Sequence, residues 1–284
     1  MSDKKIIPLL RSTMVALVEH KIILFPFCII AFLQLFILEI LYFAPRYPLN
    51  LFFGPLIRRL WSENFLHYPL NLLLLPKLFQ SIQIPLYIFV SSFLIAVAIS
   101  IIASVNSDKK VQFQKAVKEN LWAYVHVVIA STIIFAVVLG LFKVYGLVFN
   151  RALLIAAQSG VKFWIKQVII LGAPVINLLI SIFVTVLFAY VLPIIVIERK
   201  KIFAALILNF QVLWKSFWFT FAVVLIPSLL YLPILLLRST TPLGNVLPDL
   251  RVILIVLSVI VMVGVDAIVY SALTTLYLLR KESS

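Results

Sequence analysis

Residues 83–105 read QIPLYIFVSSFLIAVAISIIASV, a run of 23 positions without one charged side chain. A hydrocarbon core of about 30 Å is crossed by about 20 helical residues, and in lipid the backbone must bond to itself, so such a run becomes a transmembrane helix. Five more apolar runs lie at about 22–44, 121–142, 168–197, 212–237 and 251–279. The spacing predicts an all-α, polytopic integral membrane protein with about six transmembrane helices, built as one domain over residues 1–284. The fourth run exceeds one crossing and is expected to tilt, to kink at Pro174 or Pro193, or to extend into an interface. Pro227 and Pro233 are expected to bend or divide the fifth. Seven glycines occur and no G-x-x-x-G falls within a span, so glycine-mediated helix crossing is not indicated.

The composition agrees. With 64% hydrophobic and 12% charged residues, the chain has too little polar surface to cover a water-soluble core. The formal charge of +14, from 24 Lys and Arg against 10 Asp and Glu, would suggest nucleic acid in a soluble protein. Here the cations lie mostly between apolar runs, which points to anionic lipid headgroups and excludes nucleic acid as partner. The one cysteine, Cys28, lies in an apolar run and rules out an intrachain disulfide or a multi-thiolate metal site. The first run, from Ile22 to Phe43, is longer than the about 7–15 residues of a signal-peptide core and is read as a retained span.

Two connections are expected to hug the membrane rather than fold as hydrophilic loops. Residues 45–82 mix Leu51 to Ile57 with Arg58, Arg59 and Trp61, then Leu70 to Leu75; residues 146–166 end at Lys162, Phe163 and Trp164. The larger and tighter set of cations falls on the other side, which the positive-inside rule assigns to the cytoplasm together with both termini.

A basic lead-in recurs. Ser2-Asp3-Lys4-Lys5-Ile6 reappears as Ser107-Asp108-Lys109-Lys110-Val111 and, more loosely, as Glu198-Arg199-Lys200-Lys201-Ile202. Each precedes apolar residues at helical spacing: Ile6, Leu9, Leu10, Met14 and Leu17; Val117, Leu121 and Val125; Ile202, Leu206, Phe210 and Leu213. The pattern predicts three repeats, 1–106, 107–197 and 198–284, each an interfacial amphipathic helix followed by a transmembrane hairpin.

The segment Pro193-Ile194-Ile195-Val196-Ile197-Glu198, its continuation through Phe203-Ala204-Ala205-Leu206, the long helix after Trp214 and the end at Tyr277-Leu278-Leu279-Arg280 resemble a bacterial six-span family. That family is the membrane domain found alone or fused to glycerophosphodiester phosphodiesterases. Asn209 stands where a serine often follows the Ala-Leu helix in the family, and this chain carries no phosphodiesterase domain. The resemblance implies a six-span fold in the bacterial inner membrane more than it implies an activity.

Ionisable groups inside spans are costly, which singles out Glu39 and Asp266. Glu39, near the outer end of the first span, reads as an interfacial carboxylate within reach of Arg46. Asp266, near the middle of the sixth, reads either as hydrogen-bonded inside the bundle to Tyr270, Ser271 or Asn177, or as a proton- or substrate-coupling group. Lys109, Lys110, Lys115, Lys118, Arg199, Lys200 and Lys201 are candidate contacts for acidic phospholipid headgroups, though setting topology accounts for them equally. His20, His67 and His126 have no metal-ligand spacing, and no nucleophile, phosphate-loop or paired-carboxylate motif occurs, so no catalytic residue, metal or cofactor is nominated. Trp61, Trp122, Trp164, Trp214 and Trp218 all fall near span ends, as interfacial anchors do.

Three functions remain open on these residues. The first is a non-enzymatic protein that binds or organises lipids or partner membrane subunits. The second is a transporter or permease subunit using Asp266. The third is an intramembrane enzyme acting on lipid.

Overall fold

A computed structural model describes residues 6–60, 62–107, 111–158, 163–239 and 248–281. The described residues are helices and short connections, without a strand. In chain order the helices are α1 (Ile6–Glu19), α2 (Leu24–Phe43), α3 (Asn50–Leu60), α4 (Leu70–Leu86), α5 (Ser92–Val105), α6 (Phe113–Asn120) and α7 (Tyr124–Gln158). They continue as α8 (Phe163–Leu187), α9 (Val191–Glu198), α10 (Ile202–Trp214), α11 (Phe217–Ser228), α12 (Leu232–Ser239) and α13 (Pro248–Lys281).

Six stretches are long and apolar enough to cross a membrane: Lys21–Phe43, Leu70–Val105, Phe113–Arg151, Gly172–Glu198, Phe217–Leu237 and Asp249–Lys281. They correspond one to one with the six runs read from sequence, and the chain is a multi-pass membrane protein by this measure. Several boundaries differ. Helix α4 begins at Leu70 and α7 runs on to Gln158, so Leu70–Leu75 and part of 146–166 are helix rather than membrane-hugging connection. At 1.5 Å per residue, the 35-residue α7 is about 52 Å long and must project well past a core of about 30 Å. Polar residues such as Lys77 and Arg151 mark where lipid ends, not where a helix ends. In the remaining connection, α3 buries Gly54 and Ile57 and exposes Leu51, Phe52, Leu56 and Leu60, an apolar outer face suited to the bilayer interface. Trp61 lies outside the described residues.

Alternation of the spans follows from contacts between their ends. The Phe25 and Phe113 rings meet edge to face at 4.8 Å, Arg199 lies 6.0 Å from the Trp122 ring, and Asn106 Nδ2 donates to Thr275 Oγ1 at 3.3 Å. Odd-numbered spans therefore begin, and even-numbered spans end, at one end of the bundle, marked by Glu198. Helix α1 packs against α13 and α11.

Helix α5 sits at the centre, against α2, α6, α7, α9 and α13. Ile95, Ala96, Val97, Ala98, Ile99, Ile101 and Ile102 are buried all round it, as expected of a helix apolar on every side. Lipid tails are as apolar as leucine, so helices here associate through close packing rather than flight from water. The small residues that allow it are alanines: Ala98, Ala123, Ala205 and Ala272 are fully buried. A Cβ on Gly140, Gly172 or Gly264 would meet open space, so these glycines mediate no close approach.

Three short helices, α1, α6 and α10, lead into α2, α7 and α11, each joined to the longer helix by a tight turn, and α6 forms the first part of the third stretch. Their inward faces carry only part of the apolar series read in the sequence. Helix α1 buries Leu10, Thr13 and Leu17, α6 buries Ala116 and Asn120, and α10 buries Ile202, Ala205, Asn209 and Leu213. Met14, Leu121, Val125 and Phe210, from the apolar series read in the sequence, are exposed. Trp214 closes α10 and the fifth span starts at Phe217, not at residue 212.

Candidate functional site

Beyond the entry turns at Lys21–Ile23 and Leu121–Ala123, three further spans depart from regular α-helix. After Pro85 in α4, Tyr87–Ser91 form a π-helical turn before α5 begins. The fourth span breaks at Phe188–Tyr190, because Pro193 has no N–H to donate to the Ala189 carbonyl one turn back. The fifth tightens into a 3-10 turn at Leu229–Tyr231, four residues ahead of Pro233, where the sequence places the division.

A broken helix frees backbone groups that hydrocarbon cannot satisfy. Asn209 meets both needs in the fourth span: its Oδ1 accepts the Tyr190 N–H at 2.9 Å and its Nδ2 donates to the Leu187 carbonyl at 2.7 Å. Asn209 is fully buried. Tyr190, also fully buried, shares a 2.6 Å hydrogen bond with Thr220 and faces Arg280 across its ring at 6.0 Å.

The Glu198 end is closed by a polar network. The Tyr277 hydroxyl donates to Glu198 Oε1, while Lys200 and Lys281 lie 3.1 and 3.9 Å from the same carboxylate. Arg280 donates to Ser216 Oγ and, at 3.2 Å, to the Val212 carbonyl. This network ties the ends of α9, α10 and α13 to the start of α11. Sequence reading assigned none of these roles except a possible headgroup contact at Lys200.

The nominated lysines divide accordingly. Lys109 and Lys110 lie outside the described residues. Lys200 is paired with Glu198, Arg199 stacks toward Trp122, and Lys115 reaches Glu119 at 3.9 Å on the same helix. Lys118 and Lys201 are exposed. Glu39 is exposed on α2 and has no ion pair among the described residues, because Arg46 instead lies over the Tyr42 and Phe43 rings at 5.3 and 5.4 Å. Trp122, Trp214 and Trp218 are exposed at span ends, in the anchor positions expected of them.

Asp266 makes none of the expected hydrogen bonds to Tyr270, Ser271 or Asn177, and among the described residues the Ser271 hydroxyl has no partner at all. Half-buried on α13, Asp266 lines a cavity of about 90 Å³ between α8, α11 and α13, with Ser181, Thr185, Ser228 and Tyr231 around it. A larger cavity of about 250 Å³, lined by Lys77, Gln80, Gln83 and Ser258, shares Tyr231 and Met262 with the first. On the other side a cavity of about 40 Å³ shares Thr185 and is walled by Tyr87, Ser131, Phe188, Ala189 and Tyr270. The Tyr87 and Tyr270 hydroxyls are 3.4 Å apart.

One face of α13 carries the series. Ile255, Ser258, Val259 and Met262 meet the first cavity, Met262, Val265, Asp266 and Val269 the second, and Tyr270 and Leu273 the third. From Ile255 to Leu273 this is about 27 Å along the helix, close to the core thickness of a bilayer. Each of the three irregular turns contributes to the walls: Tyr87 from the π turn, Phe188 and Ala189 from the break, Tyr231 from the 3-10 turn.

Among the described residues no cluster of three His, Cys, Asp or Glu is placed to hold a metal ion. Comparison with protein-family models, with curated proteins and with solved structures finds no match to this chain.

Proposed function

We propose that the protein is a membrane carrier or permease subunit in which Asp266 is the coupling group, binding a proton or a polar cargo at mid-membrane. The observation that carries this reading is the placement of Asp266, with no hydrogen-bond or ion-pair partner among the described residues, on a row of cavities bordered by three interrupted spans. Irregular backbone at membrane depth is tolerated where it is buried in protein or lines a cavity, and broken helices near the midplane are a recurrent design of secondary transporters. A short carboxylate in this position has no route to the interface, so it is kept for a purpose or exchanged for an apolar residue.

The same reading places the Glu198 end, with its lysine and arginine side chains, at the cytoplasmic face of a bacterial inner membrane. It takes α1, α6 and α10 as the interfacial helices of three related units. It also keeps the resemblance to the membrane domain of glycerophosphodiester phosphodiesterases as a statement about fold. A second reading, a protein that organises lipids or partner subunits, draws support from α10, whose outer face exposes Phe203, Ile207 and Trp214.

The two are separated in proteoliposomes loaded with a pH-sensitive dye. Under an imposed pH gradient the carrier reading predicts a protein-dependent proton flux that Asp266→Asn abolishes while the variant remains monodisperse in detergent. Identical flux in both proteins, or none in either with or without lysate-derived solutes, favours the organising role.

A further inference from the structure

We infer that the cavity lined by Lys77, Gln80, Gln83 and Ser258 binds the phosphate headgroup of an anionic phospholipid, with the acyl chain following the apolar wall. Lys77 is the charged residue of the lining, which among the described residues includes no carboxylate. The amides of Gln80 and Gln83 add donors, and Gln83 is held from behind by Gln34 at 3.4 Å. Gln34 is itself buried in α2, so the amide pair is a fixed feature of the bundle rather than a surface accident.

The apolar part of the lining is Phe79 on α4 with Ile255, Val259 and Met262 on α13. A cavity whose lining combines a cation and amides with hydrocarbon side chains matches an amphiphile, not a freely soluble ion. Its volume of about 250 Å³ suits a headgroup and the first part of a chain, not a whole lipid. Lys77 lies seven residues into a helix that crosses the membrane, at the depth where a lysine stem lets its ammonium reach the headgroup level.

This deepens the carrier reading by naming the chemistry of the cargo, and it rests on that reading only for the passage from this cavity toward Asp266. Binding is measured apart from flux. Delipidated full-length protein is titrated in detergent with phosphatidylglycerol or phosphatidylcholine, and bound lipid is counted by native mass spectrometry. The expected result is one phosphatidylglycerol adduct preferred over phosphatidylcholine, weakened about tenfold by Lys77→Gln, as loss of one charge-assisted contact implies.

Ser258→Phe, which fills the cavity without touching charge, should remove the same adduct, and Lys143→Gln, a cation elsewhere in the spans, should leave it. Equal adducts in wild type, Lys77→Gln and Ser258→Phe would overturn the site. Displacement of the adduct by glycerol phosphate at equal concentration would overturn a lipid as the source of the phosphate. Asp266→Asn is expected to keep the adduct; an adduct retained without flux in any protein would refute the carrier reading and leave the binding site standing.

Discussion

Asn209 shows how much one side chain settles in a membrane. It supplies both a donor and an acceptor to a helix break that lipid cannot solvate, and it does so from a neighbouring helix. Asn209→Leu keeps the approximate volume and leaves the Tyr190 N–H and the Leu187 carbonyl unpaired. The expected cost is about 2 kcal/mol, near the low end for two orphaned groups because hydrogen bonds in membranes are individually modest. Unfolding in a detergent titration reads it directly, and an unchanged midpoint would refute the clamp. In the sequence Asn209 stands out only as a departure from a resembled pattern, because nothing in its neighbours announces a break twenty residues earlier. Asp266 was legible, since a carboxylate in the middle of an apolar run is conspicuous. Its lack of a partner was not, because that depends on how far α8 and α11 stand from α13.

At the scale of elements, the six spans were legible because charge-free length is dictated by bilayer thickness. The ends of α4 and α7 were not, since a helix continues into water wherever its residues allow. Which side of α1, α6 and α10 packs inward was not legible for a related reason. Periodicity locates a packed face only when the other face meets water, and here Met14, Val125 and Phe210 are apolar yet point away from the core. What faces inward instead includes Thr13, Asn120 and Asn209, polar groups that lipid would penalise. If α10 lies in the interface, a variant retaining only Trp214 should be quenched more strongly by headgroup-level than by mid-chain spin-labelled lipids; stronger mid-chain quenching would place α10 within the core.

The Glu198 network joins elements distant in sequence. Its side chain is 16% exposed and engages Tyr277, Lys200 and Lys281. Glu198→Ala should lower stability by about 1–2 kcal/mol, most of it from the Tyr277 bond, because the two lysines are half-exposed and their attraction is screened. Raising salt should shrink the difference between wild type and Glu198→Ala only slightly; a difference that vanishes in salt would mean the ion pairs dominate.

For the whole molecule, a polar network ties the described helices together at the Glu198 end, and three cavities lie along one face of α13. Alanine and β-branched residues pack closely around α5, so on the carrier reading the route by which water reaches Asp266 is the cavities rather than loose packing. None of this was readable in the sequence beyond Asp266 itself, because cavities arise from the splay between helices that prolines interrupt.

The most direct test is thiol accessibility at the centre of the membrane. In a Cys28→Ala background, Asp266→Cys is exposed in intact proteoliposomes to a charged, membrane-impermeant methanethiosulfonate. Lys201→Cys serves as an exposed control and Ile260→Cys as a lipid-facing one. A water-reached Asp266 predicts modification of Asp266→Cys together with Lys201→Cys while Ile260→Cys stays unmodified. An Asp266→Cys as inert as Ile260→Cys, beside a reactive Lys201→Cys, would contradict the aqueous path and with it the carrier.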